Sequence, residues 1–339
     1  MRIGILGLGF MGSTHVRALQ DLPGAALAAV FSIDEKQLSG DLSAVQGNLG
    51  GTGGKFDFSS VRACRQIEEL LSDPEIDAVD ICLPTWLHAE VAVEALRAGK
   101  DVLVEKPMAL DAASARRMVA EAEKQGRILM TAHVLRFMAP YRALIEVLGD
   151  GRLGAVRHAT FRRACAAPAW GGWLLDAERS GGGVFDLLIH DVDIALRLFG
   201  RPELVSAVGY ESAEQRVDVI TAELHYPGQG TVVIAGGWHH ARAYPFRMGY
   251  TVVADEGTIE YNSLDQQPPA LYSADGASQP LTAPETDGYR SELEYFIGCC
   301  RSRTQPELCP AQDSADAVAL TRLLLEARNR IGERLRCEF

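Results

Sequence analysis

The sequence predicts a chain in two parts. Residues 1–133 read as an α/β domain on a doubly wound parallel sheet. Residues 134–339 read as an α+β domain on a mixed, mostly antiparallel sheet. Three observations carry this. Short, near-continuous apolar runs alternate with helical patterns as far as residue 133. From 204 to 261, longer alternating runs follow one another without intervening helices. The 339 residues are 47% hydrophobic and 23% charged, which is the balance of a globular chain long enough for two domains.

In chain order, strands are expected at 3–6, 26–31, 55–58, 78–83, 102–105 and 128–133. Helices are expected at 11–21, 34–46, 64–71, 87–98 and 111–125, with Asp34 as the N-cap of the second. Residues 47–54 are rich in glycine and follow a helix, so they read as a loop. A helical connector is expected at 137–148, a strand at 156–163 and a strong helix at 185–199. Four or five strands then fill 204–261, with turns such as Pro227-Gly228-Gln229-Gly230. Residues 266–284, rich in Pro, Ala and Ser, read as a surface loop. Helices near 289–301 and 312–330 close the chain, and the last is placed to pack back on the first domain.

Composition excludes several function classes. Asp and Glu number 45 against 33 Lys and Arg, a net charge of −12, whereas phosphate-backbone binding needs clustered cations. No run of about 18 apolar residues offers a membrane span. The opening residues lack the basic, apolar and cleavage regions of a signal peptide. Seven cysteines, an odd count with no CxxC pair, read as reduced thiols in a cytoplasmic setting. Adjacent Cys299 and Cys300 read as core packing rather than redox chemistry. No metal site is expected: neighbours His239 and His240 are placed on one strand, where they point to opposite faces.

Gly7-Leu8-Gly9-Phe10-Met11-Gly12 is a GxGxxG run that follows the first strand and opens the first helix. In that context Gly7 permits a tight turn, Gly9 lets a pyrophosphate approach the backbone, and Gly12 lets helix and strand pack closely. The phosphates then meet N–H groups at the positive helix end. A glycine turn with no ligand is the alternative, and it does not require this strand–turn–helix setting. The first domain therefore reads as a dinucleotide-binding Rossmann domain. Ser32 lies about 20 residues past the last glycine, where an NAD-specific domain carries Asp or Glu for the ribose 2′-OH. A neutral serine removes the repulsion against a 2′-phosphate, and Lys36 could supply a cation. Asp34 either caps its helix or swings back to the ribose. NAD and NADP both stay open.

Glu105-Lys106-Pro107 ends the fifth strand, and carboxyl ends of such strands face the ligand crevice. Pro107 keeps Lys106 out of helical geometry at the strand tip. A lysine there can stabilise a developing alkoxide. The alternative is a surface lysine paired with Glu105. In the second domain, Asp186, His190, Asp193 and Arg197 fall within an arc of about 60° on a helix whose other faces are apolar. Buried charges need partners or a ligand. An internal Asp–His–Asp–Arg network is the alternative to catalysis, with Asp193 and Arg197 the candidates for structural partners.

The glycine loop, Leu83-Pro84-Thr85-Trp86-Leu87-His88 after the fourth strand and Glu105-Lys106-Pro107 together resemble the glucose–fructose oxidoreductase / inositol 2-dehydrogenase / MocA (Gfo/Idh/MocA) family. The resemblance covers essentially the whole chain. It implies an NAD(P)-dependent oxidoreductase whose second domain lines the substrate site and often builds a dimer or tetramer. It implies cofactor contacts at Gly7, Gly9, Phe10, Met11, Gly12, Ser32, Leu83, Pro84, Thr85, His88, Glu105 and Lys106. The stretch before His190 matches the family's Gly-Gly-x-x-x-Asp-x-x-x-His element, so Asp186 and His190 join Lys106 as the implied catalytic set. Leu188 stands where many members carry Gly. Other members, inositol dehydrogenase-like ones among them, carry a bulkier residue, so the departure marks a subgroup. His133 and Arg136 are substrate candidates by the same resemblance. Arg163, Trp170 and Trp173 are read as an Arg-plus-aromatic loop suited to a sugar or an anion. Tyr289, at the start of a helix, is a further candidate. Each of these is weighed against ordinary packing.

The implied reaction is hydride transfer between a nicotinamide and a CH–OH or C=O carbon of a sugar, an inositol-like polyol or a nucleotide sugar, in either direction. The rival is a non-catalytic dinucleotide sensor of the same fold. Retention of Lys106, Asp186 and His190 together argues against it.

Overall fold

Short, mostly apolar and mostly buried segments become the strands of a six-stranded parallel sheet: β1 (Arg2–Leu6), β2 (Ala26–Phe31), β3 (Arg62–Cys64), β4 (Ala78–Ile81), β5 (Asp101–Glu105) and β6 (Leu129–Ala132). Their order is β3-β2-β1-β4-β5-β6. The chain starts in the middle, builds outward to one side, then returns to build the other. Between β1 and β4 the order reverses, and ligands of such sheets bind outside the carboxyl ends at that point. The connecting helices are α1 (Phe10–Leu19), α2 (Glu35–Leu38), α3 (Ile67–Leu71), α4 (Thr85–Arg97) and α5 (Ala112–Gln125). Asp111 caps α5 by accepting from Ser114 N, and Gly126 ends it in the left-handed region.

This computed structural model describes residues 1–47, 53–169, 172–228, 230–284 and 286–339. The glycine-rich stretch at 47–54 therefore falls largely outside the described residues, as do Trp170 and Gln229 of the 227–230 turn. Two compact units emerge, Met1–Val134 with Asp287–Ala315, and Leu135–Thr286 with Asp316–Phe339.

Three sequence expectations are corrected. Asp34 caps α2 as expected, accepting from Lys36 N at 2.8 Å, but the helix stops at Leu38 instead of reaching residue 46. Gly40 follows at φ +89°, and a Cβ there would lie 2.2 Å from the Phe56 carbonyl oxygen. The third strand is β3, not 55–58. Phe56 and Phe58 stack on each other, and Lys55 forms only an isolated bridge with Asp41. Residues 266–284 are not merely a loop, as shown below.

The second unit opens with α6 (Ala139–Gly149) and β7 (Val156–Cys165), then α7 (Ala177–Ser180) and α8 (Gly182–Phe199). Next come β8 (Leu204–Ser212), β9 (Val217–His225), β10 (Thr231–Trp238), β11 (Arg247–Ala254) and β12 (Gly257–Asn262). The supposed loop then adds β13 (Ala270–Ser273) and β14 (Ser278–Pro280). Helix α9 (Gly288–Ser302) belongs to the first unit, where it packs on α1. The chain ends with α10 (Ala311–Asn329) and β15 (Leu335–Arg336). The nine-stranded sheet runs β14-β13-β12-β11-β7-β10-β9-β8-β15. Its β7–β10 pair is parallel and its other pairs are antiparallel.

Helix α8 lies on this sheet and is buried along most of its length. Carboxylates bound to buried arginines hold it in place. Val184 N donates to Asp218 Oδ2 at 2.9 Å, and Asp218 is paired with Arg328. A Cβ on Gly182, at φ +89°, would meet that same carboxylate oxygen at 2.8 Å. Further along, Asp191 is paired with Arg163 and Asp193 with Arg136. Among the described residues no helix is long and apolar enough to cross a membrane.

Candidate active site

The glycine run forms the turn from β1 into α1. Gly7 has φ +96°, and a Cβ on it would come within 2.6 Å of the Cys82 carbonyl oxygen beyond β4. Gly12 is more confined still: a Cβ would lie 1.9 Å from Gly7 O. Gly9 is different. It is the N-cap of α1, no side chain caps the helix there, and a Cβ would meet nothing within 4 Å. Two glycines are thus required by the protein's own packing, while the third faces open space at a helix N-terminus. That is the shape a pyrophosphate needs. Phe10 and Met11 begin α1 beside it.

At the end of β2, Ser32 is buried. Its Oγ donates to Gln37 Oε1 at 2.6 Å and accepts from Asp34 N at 3.1 Å. The Asp34 carboxylate is turned onto Lys36 N, and Lys36 is exposed. At the end of β4, Leu83 and Thr85 are buried and Pro84 is the N-cap of α4. His88, expected to touch the cofactor, instead ties two turns together. Its Nε2 lies 2.7 Å from Leu83 O and its Nδ1 2.8 Å from Pro107 O. Burial lowers its pKa against the pull of these two carbonyls.

At the end of β5, the Glu105 carboxylate points inward. Its Oε2 accepts from Lys106 N at 3.0 Å, and its Oε1 lies 3.3 Å from His15 Nε2. His15, Asp80 and Cys82 stand together behind it, a group the sequence reading passed over. Asp80 was the available signal: a charge in the buried strand Ala-Val-Asp-Ile requires a partner. Lys106 is half-buried, and its bond to Pro107 is cis. Tyr289 on α9 belongs to this neighbourhood, its ring centroid 6.4 Å from that of His15. Burial first, then the Glu105 charge, pushes its phenol up to about 12. His133 is buried in the same unit.

In the second unit, Asp186 and His190 share one face of α8 and are half-buried. Arg197, at the far end of that face, is exposed, and Asp193 is buried. Arg136 takes it in a two-pronged contact, at 2.9 and 2.7 Å. Arg163 lies in β7 rather than on the following loop, and contacts Asp191 at 2.8 and 3.2 Å and Tyr141 Oη at 3.3 Å. Burial pushes the Asp191 carboxyl up, with the Arg163 charge opposing. Both arginines, expected as substrate ligands, are held by carboxylates of α8. Trp173 packs against a cluster of Cys165, Leu174, Leu187 and Trp238. His239 and His240 lie beyond β10, not within it. Their ring centroids are 4.1 Å apart, and His240 stacks on Tyr244 at 3.7 Å.

A parallel sheet that reverses at β1/β4, with a glycine turn open at Gly9, defines a dinucleotide-binding domain. The chain belongs to the Gfo/Idh/MocA oxidoreductase family: residues 1–133 match its NAD-binding Rossmann-fold model and residues 141–260 its C-terminal domain model. It is 33% identical over 335 residues to the myo-inositol 2-dehydrogenase of Thermotoga maritima, covering 94% of each chain. It is 32% identical over 253 residues to the 1,5-anhydro-D-fructose reductase of Ensifer adhaerens, covering 72% of this chain and 75% of that one. Its fold matches an aldose-aldose oxidoreductase from Caulobacter crescentus, complexed with glycerol, with a TM-score of 0.83 at 22% identity over 99% of each chain. A levoglucosan dehydrogenase in complex with NADH and L-sorbose superimposes with a TM-score of 0.85 at 17% identity, over 100% of this chain and 99% of that one.

Proposed function

We propose that this oxidoreductase interconverts a CH–OH group and the corresponding C=O group on a sugar or polyol. The observation that carries this is Lys106 at the carboxyl end of β5, on the same sheet edge as the open glycine turn. The names of two relatives above 30% identity, one an inositol dehydrogenase and one a sugar reductase, support the substrate class and both directions. Nucleotide sugars belong in the same test.

A nicotinamide, when bound, accepts or supplies the hydride. Lys106 donates a hydrogen bond to the substrate oxygen and stabilises it as it becomes an alkoxide. His190 takes the hydroxyl proton, or returns it in the reverse direction. Asp186, one helical turn earlier, orients His190 or holds a neighbouring hydroxyl. For the cofactor, Ser32 presents no charge to a 2′-phosphate, which supports use of NADP as well as NAD.

The experiment follows nicotinamide oxidation and reduction by purified protein against inositols, aldoses, polyols, keto-sugars and UDP-sugars. NAD and NADP run in parallel, with Lys106→Ala as control. Turnover that disappears in Lys106→Ala is the expected outcome. Cofactor binding without turnover across the panel would move the reading to a dinucleotide sensor.

We also propose a homo-oligomer formed through the second unit's sheet, supported by exposed Val208 and Tyr210 on one face of β8. Light scattering on the eluting protein measures this, and Tyr210→Glu is expected to shift it toward the monomer.

A further inference from the structure

We propose that two buried histidines, His15 and His88, are positioning residues for Lys106: each fixes the backbone on one side of it, His15 through Glu105 and His88 through Pro107. The proposal rests on Lys106 acting at the substrate hydroxyl.

On the Glu105 side, three chain segments converge within the first unit. His15 comes from α1, Asp80 from β4 and Glu105 from β5. His15 and Asp80 have no solvent exposure, and Glu105 is 5% exposed. His15 Nδ1 is 2.8 Å from Asp80 Oδ2, and its Nε2 faces Glu105 Oε1 at 3.3 Å. Two buried carboxylates on opposite edges of one imidazole favour a ring that carries a proton on each nitrogen. Burial works against that charge, but the Asp80 carboxylate overcomes it and raises the His15 pKa well above its ordinary value. Cys82 donates to Asp80 Oδ1 at 3.5 Å, its thiol kept protonated by burial. From α9, Tyr289 faces the imidazole as a neutral phenol, and Glu292 acts on Tyr289.

The Glu105 oxygen that does not face His15 accepts the Lys106 N–H at 3.0 Å. On the other side, His88 holds Pro107 O, and its second nitrogen reaches Leu83 O in the turn after β4. The backbone at residue 106 is therefore tied at 105 and at 107 to buried side chains of different segments. A lysine on four rotatable carbons loses aim if its backbone shifts, and about 1 Å of misplacement costs about a hundredfold in rate.

Hydrogen–deuterium exchange reads this without a substrate. In folded His15→Gln, the peptide containing Lys106 is expected to exchange faster, while peptides of the glycine turn do not change. Titration with NADH and NADPH is expected to give dissociation constants within about twofold of the parent. With the best substrate of the panel, kcat is expected to fall at least about tenfold with KM little changed. Adding His15→Gln to Lys106→Ala is expected to leave the residual rate unaltered, since His15 then has nothing to aim. His88→Gln is expected to behave in the same way.

Unchanged exchange and unchanged kcat in His15→Gln, with Lys106→Ala inactive, would overturn this inference alone. Full turnover by Lys106→Ala would overturn the role of Lys106 and this inference with it. Should His15→Gln fail to fold, nitrogen NMR of the parent protein decides. A doubly protonated His15 ring above neutral pH supports the proposal. A neutral ring, or stoichiometric metal bound at His15, Asp80 and Cys82, overturns it.

Discussion

A serine at position 32 changes what the second strand offers a ribose. Its hydroxyl is engaged by Gln37 and by Asp34 N, and the Asp34 carboxylate is turned onto its own helix. Ser32→Asp is expected to restore the acceptor for a 2′-OH and repel a 2′-phosphate. The dissociation constant for NADPH should rise about tenfold or more relative to that for NADH, measured by fluorescence titration. For the chemistry, Lys106→Ala and His190→Ala are each expected to lower kcat about 10²- to 10⁴-fold in folded protein. The glycines, Ser32 and Glu105-Lys106-Pro107 were legible because each works within a few residues of its own position. His15 was not, because its partner Asp80 lies 65 residues away and no periodicity joins them. The carboxylate partners of Arg136 and Arg163 were hidden for the same reason. Asp193 and Asp191 stand 57 and 28 residues further along.

The strand–turn–helix of β1 and α1 can be dissected at two glycines. Gly9→Ala enters open space, so stability should stay near that of the parent while dinucleotide affinity falls. Gly12→Ala drives a methyl into Gly7 O, so it should cost about 1–3 kcal/mol in denaturant unfolding as well as affinity. Helix α8 offers the complementary case. Asp191→Ala leaves the Arg163 guanidinium buried without its carboxylate and is expected to lower stability by about 3–5 kcal/mol. Replacing both partners, Arg163→Met with Asp191→Leu, should recover much of that loss. Long, uniformly apolar elements such as β2 were legible to the residue. The second helix was overextended because its periodicity continues past Gly40, whose backbone conformation ends it. Strands β13 and β14 were hidden because Pro, Ser and exposed positions erase the alternation that marks a strand.

Across the whole molecule, His15 ties stability to pH. Its pKa is raised in the fold, so its contribution is complete below the unfolded value of about 6.5 and is lost as pH rises through the higher folded value. The thermal midpoint is therefore expected to fall toward alkaline pH, and His15→Gln should flatten that slope. The two-part organisation was legible from the change of pattern after residue 133. That 287–315 belongs to the first unit was not, since helical periodicity does not say which sheet a helix covers.

The nine-stranded sheet finishes on β14 at one edge and β15 at the other, of three and two residues. Pro280 closes the first, and β15 covers only the start of β8. The β14 stub offers almost no unpaired backbone for a stranger's strand to zip onto, whereas residues 206–212 of β8 run on past the β15 stub. At the β14 edge a broad sheet is thereby kept from growing end over end into a fibre.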